Sequence, residues 1–313
     1  MFSFVSTCTF RKTIKPDSSC LMGAVGGADL SNRFQNWVRS IQNCKAPLCC
    51  PLSLYSGGSW TAVRKIIEAS PDIRPWVVSA GHGLISVDNP VCPYGATFAA
   101  GEADSILAGK SDSKALREWW HLLCEWRKKL GAEISSITEI ALRYPNEPIV
   151  AALSADYLKA TLDDLLQARN ALADPDLLIL ISAGTKPKGP LANNQVPADA
   201  RFEHLFGKSR LVLNNKIAAL VLRDFKPEQL RARKVSEHLE KMIRDLPPSS
   251  YPYRTRGTDA EVRRFLEAKL STIGNPSYTA LLKEYRSLGR ACEQRRFREL
   301  FRETSNAQLS NAA

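Results

Sequence analysis

The chain opens with Phe2-Ser-Phe-Val-Ser-Thr-Cys8-Thr-Phe-Arg11-Lys12-Thr13, an apolar run cut short by a thiol and two cations. The thiolate is the nucleophilic form of cysteine, and fixed positive charge beside a thiol favours it. Cys8 with Arg11 and Lys12 therefore reads as a candidate nucleophile. A strand-end core cysteine with solvated basic neighbours has the same pattern, and spacing does not separate the two. A second β-rich run, Trp76-Val-Val-Ser79-Ala-Gly81-His82-Gly83, ends in small residues and a histidine able to carry protons. Leu54-Tyr55-Ser-Gly-Gly-Ser-Trp60 opens a helix with a glycine-rich start of the kind that holds anions. It lacks the Gly-Lys-Ser/Thr of a Walker A loop. Asn89-Pro-Val-Cys92-Pro-Tyr94 is a rigid turn whose tyrosine either stacks on a base or simply packs. Val196-Pro-Ala-Asp199-Ala-Arg201 sets a carboxylate beside a guanidinium, as a structural salt bridge or as a ligand clamp.

Such groups need a scaffold that gathers them. Besides the two runs above, Ile149-Val-Ala-Ala-Leu-Ser154 and Leu177-Leu-Ile-Leu-Ile-Ser182-Ala-Gly184-Thr-Lys186 are continuous apolar stretches ending in Ser or Gly. That is the pattern of strands buried on both faces. Helical patterns at 60–69, 114–130 and 155–173 lie between them, and another begins near Leu211, just after Gly207-Lys-Ser209. Strand-helix alternation predicts an α/β fold with a mostly parallel or mixed central sheet flanked by helices. The carboxyl ends of its strands share one edge, where ligands bind. Cys8, Ser79 to Gly83, Ser154 and Ser182 to Lys186 are expected to converge there. Gly81, Gly83 and Gly184 either let backbone approach a ligand or make tight turns.

Composition narrows the class. With 313 residues, 44% of them hydrophobic, the chain can bury one large core and carry an appended module. The net charge of +11 suits a polyanionic partner. Eight cysteines (Cys8, Cys20, Cys44, Cys49, Cys50, Cys92, Cys124 and Cys292) form no disulfide-like framework and no C-x-x-C pair. His82, His121, His204 and His238 are scattered, so no metal site is expected. Without a Walker A loop or a dinucleotide glycine fingerprint, no cofactor is expected either. The apolar start is too short for a signal-peptide core, and no run is long enough to span a bilayer, which points to a cytoplasmic protein with reduced thiols.

Leu246-Pro-Pro-Ser-Ser-Tyr-Pro-Tyr253 is a stiff, helix-breaking boundary between an α/β domain at 1–246 and a basic helical module at 253–313. From Tyr253 to Arg302 there are twelve Lys/Arg against six Asp/Glu, a net of +6. Thr258-Asp-Ala-Glu261 is a capping box opening a helix with Val262, Phe265, Leu266 and Leu270 on one face. Gly274-Asn-Pro-Ser277 breaks it, a second helix runs to about Leu288, and a third follows the Gly289 turn. On the third, Phe297, Leu300 and Phe301 face inward, while Arg295, Arg298 and Arg302 share another face, with Arg290 at its start. Such an all-helical module fits a helix-turn-helix or winged-helix element on a nucleic-acid backbone; a solvated cap is the plain alternative.

The motifs taken in order resemble a known family. Cys8-Thr-Phe-Arg-Lys-Thr13, Leu54-Tyr-Ser-Gly57 with Trp60, Val78-Ser-Ala-Gly-His-Gly-Leu-Ile85, Pro93-Tyr94 with Thr97-Phe98, Pro197-Ala-Asp-Ala-Arg201 and Gly289-Arg-Ala-Cys-Glu-Gln-Arg-Arg-Phe297 together resemble the DpdC proteins of bacterial systems that place 7-deazaguanine bases in DNA. The set spans nearly the whole chain, although each motif alone is weak. The resemblance implies kinship with YaaA-type peroxide-stress DNA-binding proteins, and hydration of 7-cyano-7-deazaguanine, already in DNA, to its carboxamide. Its setting would be a restriction-modification or phage-defence system working with a transglycosylase-type DNA-modifying enzyme. A tyrosine is as expected in relatives at position 82 as this histidine.

That chemistry gives the residues expected roles. Cys8 would add to the nitrile carbon, with Lys12 or Arg11 stabilising charge and His82 or Tyr94 passing protons. Alternatively Asp199 or His82 would activate water. Arg11, Thr13, Tyr55, Ser79, Gly81, Tyr94 and Arg201 would bind the substrate, Tyr55, Trp60 or Tyr94 would stack, and Arg290, Arg295, Arg298 and Arg302 would hold DNA. The base would be flipped out of a duplex or presented single-stranded. A non-catalytic DNA-binding protein of the YaaA kind and a base-excising, glycosylase-like enzyme are the alternatives.

Overall fold

The structure, a computed structural model, describes residues 1–107, 112–185, 189–207, 212–248, 254–272 and 276–312, the side chains of 295 and 308–312 excepted. Lys186, Lys208-Ser209, Leu211, most of the 246–253 boundary and the Gly274-Asn275 break therefore lie outside the described residues. The chain divides into two compact units, Met1–Pro248 and Ser249–Ala313.

The first unit is α/β. Its sheet contains β1 (Phe2–Thr7), β2 (Ile73–Ser79), β3 (Gly83–Ser86), β4 (Ile149–Ala152), β5 (Leu178–Ile181) and β6 (Gln195–Val196), in the order β3-β2-β1-β4-β5-β6. Every neighbouring pair is parallel except β2 with β3, which return on each other as a tight antiparallel hairpin with Ser79 opposite Gly83. The apolar runs of the sequence are the central strands, and β4 and β5 are buried at every residue. The edge strands β3 and β6 escape sequence reading because they are only four and two residues long. From β1 the chain crosses first to β2 on one side and later to β4 on the other. The strand order thus reverses between β1 and β4, and ligands bind at such a switch point, outside the carboxyl ends of the strands.

The helices are α1 (Leu30–Gln42), α2 (Pro51–Leu54), α3 (Gly58–Ala69), α4 (Ser113–Lys129), α5 (Ile137–Arg143), α6 (Ala155–Ala160), α7 (Leu162–Ala171), α8 (Glu203–Phe206), α9 (Leu213–Asp224) and α10 (Ala232–Asp245). α3 packs on α9, α4 on β3, and α10 on β5 and β6. The single helix expected over 155–173 is two, because the turn resets at Thr161 (φ −93°, ψ 8°). There the threonine hydroxyl bonds back to the Tyr157 carbonyl at 2.9 Å, a habit that bends helices. No described helix is long and apolar enough to cross a membrane.

The second unit holds α11 (Asp259–Thr272), α12 (Tyr278–Ser287) and α13 (Gln294–Ala312), with a short parallel pair, β7 (Thr255–Arg256) and β8 (Arg290–Ala291), added to the expected helices. The capping box forms as read: Thr258 N donates to Glu261 Oε2 at 2.8 Å and Glu261 N to Thr258 Oγ1 at 3.3 Å. Val262, Leu266, Leu281, Leu282, Tyr285, Phe297 and Leu300 make its core. Gly289, at φ +75°, supplies the left-handed turn between α12 and β8.

Candidate active site

Cys8 is the first residue beyond β1, at the switch point, and it is 8% exposed. Its Sγ lies 3.1 Å from the hydroxyl of Tyr157, in the first turns of α6 just beyond β4. The crevice edge therefore supplies a thiol from one strand and a phenol from the next. Tyr157 is 7% exposed and packs edge-on to Phe98, 4.9 Å between ring centroids.

The loop after Cys8 is stitched to the segment before α3. Thr13 N donates to the Leu54 carbonyl (2.9 Å) and Ser56 N to the Arg11 carbonyl (3.0 Å). The Thr13 hydroxyl donates to the Ser53 carbonyl at 2.7 Å, so Thr13 fastens the loop rather than holding substrate. Arg64 of α3 fixes the other side through the Leu52 and Tyr55 carbonyls. Lys12 is thereby laid across two aromatic faces, its Nζ 4.4 Å from the Tyr94 ring centroid and 5.6 Å from that of Tyr55. Burial pulls its pKa below the usual lysine value, opposed by the nearby Cys8 sulfur and Asp104 carboxylate. A lysine so shifted can exchange a proton nearer neutrality.

Beneath Lys12 lies a hydroxyl network. Tyr94 Oη is 2.8 Å from Tyr55 Oη and 2.6 Å from Ser79 Oγ. Ser79 Oγ already accepts from Gly81 N (3.2 Å) and His82 N (3.0 Å), which directs its own proton at Tyr94. Burial pushes Tyr55, Tyr94 and Tyr157 well above the ordinary phenol range, with the Cys8 sulfur adding to the shift. These phenols stay protonated and act as donors.

Several expected roles need correction. Tyr55, Tyr94 and Trp60 are each 0% exposed, so none has a face for a nucleobase. Trp60 instead donates to the Thr7 carbonyl at 3.2 Å, anchoring the end of β1. Phe10, two residues past Cys8 and 80% exposed, is the aromatic on offer. Gly81 is a packing glycine: a Cβ there would fall 2.5 Å from Tyr94 Cδ2 and 2.9 Å from Trp37 Cζ2. His82 is 4% exposed, and burial pushes its pKa down to about 3. Its Nε2 faces the Cys92 carbonyl at 3.2 Å, which fits neither a base nor a proton shuttle.

Asp199 and Arg201 form a bidentate pair at 3.1 Å, and the same guanidinium donates to the Ile243 carbonyl. Those hydrogen bonds hold Asp199 below the ordinary carboxylate value, which weakens it as a base. They follow β6, three strands from β1 and roughly 14 Å across the sheet. This is the structural salt bridge, outside the cluster around Cys8. Arg11 is exposed beside Gly57, at the start of α3.

Sequence reading missed Tyr157, whose distance along the chain from Cys8 hides the pairing. It also missed a cluster beside the network: the sulfurs of Cys20, Cys44 and Cys92 lie within 4.8 Å of one another. In the second unit, Arg298 and Arg302 are exposed as expected, and Arg298 lies 6.0 Å from the Tyr278 ring centroid. Arg290 is drawn to Glu261 at 3.4 Å, while the side chain of Arg295 lies outside the described residues. Compared with known proteins, the chain matches no family model, no curated protein and no solved structure.

Proposed function

We propose that the protein hydrates the nitrile of 7-cyano-7-deazaguanine in DNA to the carboxamide, with Cys8 as covalent nucleophile. The substrate comes from the motif resemblance to the DpdC family. The chemistry is supported above all by one observation: the Cys8 thiol meets the Tyr157 hydroxyl at 3.1 Å at the strand-order reversal. Cys8 sulfur adds to the nitrile carbon, the thiol proton passes to the nitrile nitrogen, and a thioimidate forms. Water then adds to that carbon, the carbon–sulfur bond breaks, the thiol regains a proton, and the amide is released. The net change is one water gained, without redox or phosphoryl transfer, so neither ATP nor a reductant takes part. Tyr157 and Lys12 are the proton donors beside the nitrogen. The burial of His82 and the pairing of Asp199 favour this route over water activated by either.

The exposed Phe10 offers a stacking face to an extruded base, and Arg298 and Arg302 offer phosphate contacts. The deciding experiment incubates purified protein with DNA carrying 7-cyano-7-deazaguanine, without ATP or NADPH, and analyses the nucleosides by mass spectrometry. The expected product is heavier by one water. An abasic site would identify a base-excising enzyme, and tight binding with unchanged nucleosides a DNA-binding protein of the YaaA kind. Strict dependence on ATP or NADPH would overturn the mechanism.

A further inference from the structure

Cys20, Cys44 and Cys92 come from three separate stretches that backbone hydrogen bonds hold side by side. Cys20 closes a turn of 3-10 helix at Ser18–Cys20, and its carbonyl accepts from Gly95 N at 2.8 Å. Met22 N returns a bond to the Gly95 carbonyl at 2.7 Å, pinning this stretch to the one bearing Cys92. Cys44 follows the end of α1, its amide bonded to the Ile41 carbonyl at 3.3 Å. Cys49 and Val91 exchange backbone bonds of 2.9 and 3.1 Å, which closes the third side. The scaffold exists whether or not the sulfurs are occupied.

Cys20 Sγ reaches the Ser40 carbonyl at 3.6 Å and Cys92 Sγ the Ile41 carbonyl at 4.0 Å, long contacts to the last carbonyls of α1. Cys20 and Cys92 are buried and Cys44 partly so. His82 brings Nε2 to 3.8 Å from Cys92 Sγ. In a tetrahedral zinc site, bond lengths of about 2.3 Å to sulfur put ligand sulfurs about 3.8 Å apart. Three sulfurs within 4.8 Å of one another approach that arrangement, while His82 Nε2 stays on the Cys92 carbonyl at 3.2 Å, outside the group. A disulfide between any two of these cysteines would leave the third thiol odd.

We infer that Cys20, Cys44 and Cys92 hold a zinc ion as three thiolates. Three sulfurs, buried or partly so on a scaffold stitched by backbone hydrogen bonds, fit a structural site. Binding releases the three thiol protons to solvent, so affinity rises with pH. The ion ties the end of α1 and the turn at Cys20 to the stretch bearing Tyr94, and so braces the hydroxyl network from behind. The inference is independent of any reaction at Cys8.

The test uses the full chain, produced without a metal-affinity tag and purified under mild reductant, with metal content measured by elemental mass spectrometry. One zinc per chain is expected, released when a mercurial reagent titrates the thiols. Reconstitution with cobalt(II) should give thiolate-to-cobalt charge-transfer absorption and tetrahedral d–d bands. Cys44→Ser should lose the ion and Cys292→Ser should keep it. Failure of Cys44→Ser to fold would leave the wild-type zinc and cobalt measurements to decide. Metal-free protein that gives no such cobalt spectrum, a disulfide among the three cysteines in reduced preparations, or iron with acid-labile sulfide would each overturn the assignment.

Discussion

Cys8 Sγ and Tyr157 Oη meet at 3.1 Å although 149 residues separate them in the chain. They meet because β1 and β4 are parallel neighbours, with Ser6 opposite Ala152, so the residues just beyond one strand face those just beyond the other. The pairing belongs to the topology, and it sets the thiol and the phenol together just beyond the strand ends, where the strand order reverses.

If Cys8 is the nucleophile, Cys8→Ala should lower turnover of the nitrile by several orders of magnitude while the fold and DNA affinity persist. Tyr157→Phe keeps the ring packed on Phe98 and removes only the hydroxyl. The loss of a single general-acid donor is worth roughly 100-fold or more in turnover. Single-turnover kinetics on both variants, with circular dichroism to confirm folding, provide the check. Near-normal turnover by Cys8→Ala would make the thiol a packing group and return the chemistry to water.

Lys12 gives a pH signature in stability. Its pKa lies below the ordinary 10.5 because burial disfavours the charged form. Between the folded and unfolded values the unfolded chain binds more protons, so this lysine makes stability rise with pH across that window. The contribution is fully present above the unfolded value and is lost as pH falls through the folded one. Lys12→Met should flatten the rise. Urea unfolding of both proteins across the alkaline range measures it, and a wild-type-minus-variant difference independent of pH would sink the idea.

How much of this was legible in sequence depends on whether the determinant is local. The central strands were, because β4 and β5 are continuous apolar runs and β1 and β2 are rich in apolar and β-branched residues, and the capping box at Thr258 is a four-residue signal. Cys8, Lys12, Ser79 and Tyr94 were singled out by their positions at or after strand ends, and the sheet does bring them together. Burial was not legible. Tyr55 and Tyr94 read as stacking faces and His82 as a proton carrier until the packing of Trp37, Trp126 and each other around them is known. Asp199 reads as a base or as half of a salt bridge, because the Ile243 carbonyl that also holds Arg201 and the place beyond β6 are tertiary facts. The thiol cluster has no local spacing at all, since its three cysteines meet only through the Gly95 and Val91 backbone bonds.

Gly81 tests the packing reading directly. Gly81→Ala drives a methyl into Tyr94 and Trp37, both fully buried, and Trp37 is also tied to the Gly81 carbonyl at 2.8 Å. Overpacking of this kind costs about 1–3 kcal/mol. The expected result is a lower urea midpoint with an unchanged slope, and turnover reduced through displacement of Tyr94. Unaltered stability would mean that the glycine is there to admit a ligand.

The arginine face of α13 carries the last prediction. Arg298 and Arg302 are exposed, whereas Arg296 on the same helix is held by Asp259 and by Glu299 at 3.4 Å. The ion-paired arginine is thus structural, and the triple replacement Arg295→Ala, Arg298→Ala and Arg302→Ala leaves it in place. Each phosphate neutralised by the wild-type protein releases condensed counterions, which makes affinity fall with salt. The triple variant should bind DNA more weakly and show a flatter log-affinity against log-salt line, by up to about one unit per lost contact. Turnover at saturating DNA should survive, because none of the three is assigned to the nitrile. An unchanged salt slope would make the face merely solvated. Lost turnover at saturation would make the second unit part of the catalytic machinery, and Cys8 alone would no longer account for the rate.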